Sequence, residues 1–396
     1  MRLVVSGGWS YGNVGDEAIA VSTLYLAKKF FSEYELLVTA YNTNDFLRHH
    51  SINALKSIHA IIADEFEQNN ISIEYYLHSG NKEITEYISY FDKDTIFLMS
   101  GGGYISGTWN DQIFARILEI EVAKMKGAKV FIIGQSIGPI YSKKLSKIFV
   151  EAANKCDFLS VRDGQSIEYL KEIGVIKDIN LTSDLAMIIS DVYPFEGENK
   201  NHICVMPACY TKYQPNYVTE KSSLRIFLGK IHNRYNMYKY RRKINKIVAN
   251  ISKQRHIDFV LSTDWDADFN YVQRIIQNTG IKDYSIYREL SILKMCGVLA
   301  SGELTISSKM HPLIISTSYL IPTIGISYNF KTDHFMDIIS RGGCCFRNSK
   351  IDTRKCEQII ERDLGKKIER DGIELKKKEI YMLFKALKDS LSNTSL

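Results

Sequence analysis

Short apolar runs alternate with amphipathic stretches along most of the chain. Leu3 to Val5 reads as a strand, and Asp16 to Phe31 as a helix with apolar Ile19, Leu24, Leu26 and Ala27. Glu35 to Ala40 is a strand again, and the more polar, aromatic-rich stretch from Asn42 to Lys93 holds several short helices. Thr95 to Met99 is a buried-type strand that runs into Ser100-Gly101-Gly102-Gly103. A helix from Asp111 to Lys126 follows, with Gly127 placed to end it. Lys129 to Ile133 is a strand opening into the loop Gly134-Gln135-Ser136-Ile137-Gly138-Pro139. Helix Lys143 to Asn154, strand Phe158 to Val161 and helix Gln165 to Gly174 complete the series. Continuous apolar strands separated by helices predict a parallel sheet covered on both faces.

The polar stretch Asp191 to Asn201, with Pro194 and Gly197, predicts a linker. A second alternating series then begins with strand Ile203 to Met206 and a basic, Tyr-rich helix from Ser222 to Lys253. Strand Asp258 to Ser262, helix Asp268 to Gln277, helix Ser291 to Cys296 and strand Leu304 to Ile306 follow. Helix Met310 to Tyr319 and strand Thr323 to Ser327 come next, and from Cys356 the tail is charged with periodic apolar positions. Two successive α/β halves predict a ligand cleft between them, outside the C-terminal ends of their strands.

Composition narrows the class. At 396 residues the chain is long for one core, and 45% hydrophobic with 24% charged residues is globular. Lys and Arg exceed Asp and Glu only by 51 to 45, too little to imply nucleic-acid binding, though an anionic substrate or membrane face would suit it. The seven cysteines form no C-x-x-C pair and no His/Cys cluster at zinc spacing, so reduced thiols and no metal are expected. No signal peptide and no stretch of membrane-spanning length are seen, which predicts a cytoplasmic protein with at most peripheral membrane association.

Chemistry concentrates in loops after strands. Ser6 to Gly15 carries four glycines before a helix start, the form of an anion cradle, but it fits neither the Walker nor the G-x-G-x-x-G pattern. Asp16 and Glu17 offset the positive end of that helix, so a hydroxyl-rich ligand or simple capping suits the loop as well as a phosphate. Ser100 to Asn110 and Gly134 to Pro139 are loops expected on the same sheet edge. Ser106, Thr108, Trp109, Asn110 and Asp111 form a set suited to a sugar, with burial of Trp109 the competing reading. Arg162 is expected to pin the edge by pairing with Asp163 or Asp184. In the second half, Ser307, Ser308, Lys309, Met310 and His311 lead into a helix start that favours an anion. His311 precedes Pro312 and is therefore expected to be extended, its ring free to enter a cleft. Lys331, in Tyr328-Asn329-Phe330-Lys331, offers a further cation, whereas His49, His50 and His334 lack such company.

These segments together resemble the polysaccharide pyruvyl transferase family. The matching pieces are YGNVGDEAI (11–19), GGGYISGTWND (101–111), GQSIGP (134–139), SVRDGQS (160–166), SDLA (183–186), SSKMHPLI (307–314) and ISYNFK (326–331). The resemblance implies two Rossmann-like lobes with parallel sheets, arranged like a B-type glycosyltransferase. The expected division is an N-terminal acceptor-side lobe over 1–192, a C-terminal donor-side lobe over 202–340, and a helical extension over 341–396 packing back on the lobes.

It also implies an enzyme that transfers an enolpyruvyl-derived group from phosphoenolpyruvate onto two hydroxyls of one sugar. The product is a pyruvate ketal on a surface polysaccharide, such as a capsule or exopolysaccharide, or on its lipid-linked precursor. No cofactor or metal is implied beyond phosphoenolpyruvate as co-substrate. By resemblance His311 is the general acid, with Lys309, Ser307, Ser308, Met310 and Lys331 on the donor. Asn13, Asp16, Glu17, Gly102, Gly103, Trp109, Asn110, Asp111 and Gln135 are expected on the acceptor. Two positions depart from the family. Lys309 stands where an arginine is usual, and Met206-Pro207-Ala208 lacks a second arginine, whose contact is expected from Lys212, Arg234, Arg241 or Arg242. The alternatives are a nucleotide-sugar glycosyltransferase, with Glu303 as its ribose ligand, and a non-catalytic polysaccharide-assembly protein.

Overall fold

The computed structural model describes residues 1–9, 12–66, 72–107, 109–197, 201–209, 223–263, 266–288, 291–328 and 330–392, with 223–233 and 392 by backbone alone. Tyr11, Thr108, Lys212, Ser222 and Asn329, singled out above, lie outside the described residues. The chain divides into two compact units, residues 1–188 with 376–396, and residues 189–375.

In the first unit the strands are β1 (Arg2–Ser6), β2 (Glu35–Ala40), β3 (Leu55–Lys56), β4 (Thr95–Met99), β5 (Gly102–Ile105), β6 (Lys129–Ile137), β7 (Phe158–Val161) and β8 (Ile179–Leu181). They run in the order β3-β2-β1-β4-β6-β7-β8, with β5 paired to β6, and every described pairing is parallel. Val4 sits beside Leu37 on one side and Phe97 on the other. The central strands are buried on both faces, which explains their unbroken apolar sequence. The second unit has β9 (His202–Met206), β10 (His256–Val260), β11 (Tyr284–Tyr287), β12 (Leu304–Ser307), β13 (Thr323–Ser327) and β14 (Cys345–Arg347). Their order, β11-β10-β9-β12-β13-β14, is the doubly wound one and is again parallel. Strand order reverses between β1 and β4 and between β9 and β12, so those two C-terminal edges are where such folds take ligands.

Two expectations are corrected. The second and third glycine loops are largely sheet, because Gly102 pairs with Gln135 and Ile105 with Ile137. A Cβ on Gly101 would come 2.9 Å from the Gly134 carbonyl oxygen, so these glycines serve close strand packing. Residues 341–352 are not purely helical, since β14 adds an edge strand to the second sheet. The last helix, Arg370–Ser392, belongs to the first unit from Lys376 onward, where Phe384 is buried against Phe30 and Lys388 pairs with Glu33.

Candidate functional site

The first edge is built around the helix Val14–Phe30. Asn13 caps it, its Oδ1 accepting from the Gly15 N–H at 3.0 Å while its Nδ2 donates to Asp16 Oδ2 at 2.8 Å. Desolvation raises the Asp16 carboxyl from 3.8 to about 7. Arg162 and the Asn13 bond pull against it, and the neighbouring Glu17 and Asp184 charges add to it. Glu17 is held by the buried ring of His50. Asp111 is bonded to the buried His59 at 2.7 Å, and that bond first, with the imidazole's charge, holds its carboxyl below the usual range. His50 and His59, passed over in the sequence, thus support two acids expected at the acceptor; their partners lie 33 and 52 residues away along the chain.

Trp109, at the start of helix Asn110–Met125, is 48% exposed, which favours a stacking face over core packing. Asn110 and Gly103 are also partly exposed. Gly102 is buried, and a Cβ there would meet the Tyr104 ring at 2.2 Å. Gln135 lies beneath the edge instead of lining it: it is fully buried and its amide donates to Ser100 O and to Tyr104 Oη. A buried polar network continues below, where Arg116 bonds Glu119 at 2.8 Å and Ser6 Oγ at 2.6 Å. Arg162 pairs with Asp184 at 2.5 Å and donates to Ser136 Oγ, while Asp163 caps helix Gly164–Glu172. The edge is therefore pinned as read from the sequence.

At the second edge, β12 delivers Ser307, Ser308 and Lys309 to the helix Met310–Ser318. His311 is not extended. It lies in the first turn of that helix, partly exposed, with Pro312 behind it, where a missing N–H costs no intrahelical bond. Ser307 and Ser308 are buried; Ser307 Oγ bonds the Lys309 backbone and Ser308 Oγ lies 3.1 Å from Tyr240 Oη. Both shape the turn. Met310 is partly exposed. Lys309 does not stand as a solitary cation: its Nζ contacts Asp268 Oδ2 at 2.5 Å and donates to Thr263 Oγ1 at 2.7 Å. Asp268 also accepts from the Cys209 N–H at 2.7 Å, which ties Lys309 to the chain following β9. Lys331 sits in the first turn of helix Phe330–Ile338, after the neighbouring β13.

Of the cations considered for the missing arginine, Arg241 reaches this edge. Its Nη2 is 4.0 Å from Cys209 Sγ, its Cζ 5.6 Å from the Tyr271 ring, and its buried Nε has no hydrogen-bond acceptor among the described residues. Arg234 and Arg242 are exposed. Glu303 precedes β12, at the opposite edge, and pairs with Arg255 at 2.7 Å, so it is misplaced for a ribose.

At that opposite edge the fold assembles a donor set that spacing along the chain does not show. His202, Cys204 and Asp258 on adjacent β9 and β10 bring donor atoms within 4.8 Å of one another and could hold a metal ion. His202 there already meets Asp258 at 3.3 Å, and Cys204 donates to the Val298 carbonyl.

Solved structures with this fold include UDP-N-acetylglucosamine 2-epimerases. That of Rickettsia bellii superposes with a TM-score of 0.57 at 10% identity, covering 100% of this chain and 99% of its own. That of Methanocaldococcus jannaschii gives 0.57 at 10% identity, covering 94% and 95%. The Neisseria meningitidis enzyme, bound to UDP-GlcNAc, gives 0.54 at 10% identity, covering 91% of each chain. At such identities the likeness shows the fold alone, two Rossmann-like lobes of the B-type glycosyltransferase class. No curated protein is matched in sequence. The model of one family, polysaccharide pyruvyl transferase, matches residues 13–329 and so takes in both edges, and the chain belongs to that family.

Proposed function

We propose that the protein is a ketal pyruvyl transferase that moves the pyruvyl unit of phosphoenolpyruvate onto two hydroxyls of a sugar. The sugar belongs to a surface polysaccharide or to its lipid-linked precursor, and the reaction runs on the cytoplasmic side of the membrane. The observation that carries this reading is the Asp16 carboxyl, raised to about 7 and bonded to Asn13, on the same unit as the exposed Trp109. A carboxyl in that range exchanges protons with a hydroxyl nucleophile at neutral pH.

His311 protonates the methylene carbon C3 of phosphoenolpyruvate, which leaves C2 electron-poor. Asp16 takes the proton of the first sugar hydroxyl as its oxygen bonds to C2. The C2–O bond to phosphate then breaks, and the second hydroxyl closes the ring. Of the two hydroxyl protons, one balances that added to C3, turning CH₂ into CH₃, and the other leaves with phosphate. Lys331, Arg241 and the free N–H groups at the start of helix Met310–Ser318 serve the anionic donor, and Lys309 shares its charge with Asp268. The chemistry calls for no metal.

The test is phosphate release from phosphoenolpyruvate with a panel of lipid-linked and water-soluble glycosides, run with a chelator present. The expected result is acceptor-dependent release with a product heavier by pyruvate less water. Stabilisation by nucleotide-sugars and none by phosphoenolpyruvate would overturn the reading in favour of a glycosyltransferase.

A further inference from the structure

On the second unit, the long helix Ser223–Ile251, which also carries Arg241, bears a second concentration of charge on residues not assigned to the reaction. Lys239, Arg242, Lys243 and Lys246 follow one another at helical spacing and, with Lys350, line a cavity of about 640 Å³. No acidic residue lines it, and among the described residues none of the five cations pairs with a carboxylate. The nearby Asp352 is turned to its own helix, accepting from the backbone N–H groups of Arg354 and Lys355. Cations that line the candidate site or the sheet are compensated, as Lys309 by Asp268 and Lys124 by Asp157. Five uncompensated charges around one cavity repel one another and favour a multiply charged anion between them.

The same helix presents Tyr235 and Tyr238, 54% and 58% exposed. Lys239 Nζ lies 4.3 Å from the Tyr235 ring centre and Arg242 Cζ 5.7 Å from that of Tyr238. A small soluble anion makes no use of these rings. At the headgroup level of a bilayer, tyrosine keeps its ring in the apolar margin and its hydroxyl in water. We infer that the cavity and its flanking tyrosines form a docking surface for the phosphate headgroups of an anionic membrane leaflet. This inference does not depend on the reaction proposed above, since docking needs no substrate.

Each cation near such a surface strengthens partitioning roughly fivefold, and salt screens the effect. The test is co-sedimentation of the full chain with vesicles of phosphatidylcholine alone or mixed with phosphatidylglycerol, at low and high salt. Binding is expected only to the mixed vesicles and only at low salt. The triple variant Lys239→Glu, Lys246→Glu, Lys350→Glu should lose on the order of 10²-fold or more in partitioning, with its circular dichroism and melting unchanged. Tyr235→Ala with Tyr238→Ala should weaken binding further at fixed salt. If the triple variant does not fold, Lys350→Glu alone, on the opposite wall of the cavity from the helix, should weaken binding severalfold. The inference is overturned if the wild type ignores phosphatidylglycerol vesicles or if a folded charge-reversal variant binds as the wild type does. Displacement from vesicles by inorganic phosphate, beyond that by sodium chloride of equal ionic strength, would also overturn it and identify a free-phosphate site.

Discussion

Asp16→Asn should stabilise the protein at alkaline pH while removing its activity. Asp16 is crowded into a partly buried corner with Glu17 and Asp184, and its carboxyl is pushed from 3.8 to about 7 chiefly by desolvation. Between those two values the folded chain holds a proton that the unfolded chain has released. Stability contributed by the protonated form is therefore complete below 3.8 and is lost as the pH rises through about 7. The shift corresponds to at most about 4 kcal/mol between the two protonation states; allowing for the solvent that still reaches the side chain, about 2 kcal/mol is a realistic size. Asparagine has the same shape, keeps a hydrogen bond to Asn13 and never ionises. Urea titrations should find the variant equal to the wild type near pH 4, and more stable by about 2 kcal/mol at pH 8.5, a gain of roughly 5 °C in Tm for a unit of this size. Turnover should show the opposite trend, rising in the wild type through pH 7 as the base ionises and falling by about 10²-fold or more in the variant. Identical denaturation of the two proteins at both pH values would mean an ordinary ionised carboxylate. The case for Asp16 as base would then be lost.

His311→Ala should leave melting unchanged and reduce phosphate release by a factor of about 10² to 10⁴; near-normal release would remove His311 from the reaction. Lys309→Ala should lower stability by roughly 2–3 kcal/mol, because Asp268 is left buried with, among the described residues, Thr263 and the Cys209 N–H as partners. Adding Asp268→Ala should restore part of that loss, and a double variant less stable than the single one would refute the pairing. Lys309→Arg should preserve stability if the guanidinium reaches Asp268, and a fall in the KM for phosphoenolpyruvate would show that the fork also reaches the donor.

The pattern of apolar runs was enough to set out two parallel α/β sheets, because strands buried on both faces are apolar at every position. β2, β4, β7 and β13 fall at their anticipated bounds. The short edge strands β8, β11 and β14 did not stand out, since an edge strand half open to solvent carries no such run; Tyr284–Tyr287 is only partly buried throughout. The glycine-rich segments could be located but not interpreted: whether a glycine approaches a ligand or another strand depends on what faces it, and only the fold supplies the Gly134 carbonyl beside Gly101. The ordered motifs were likewise sufficient to name the family and to single out Asp16, Trp109 and His311. What the linear chain withheld were the partners. His50 for Glu17, His59 for Asp111, Asp268 for Lys309 and Cys204 beside Asp258 are joined by crossovers of tens of residues, so no local spacing records them. Those partners decide which charges are spent within the protein and which acid stays near neutrality, because desolvation and charge pairing are properties of neighbours in space.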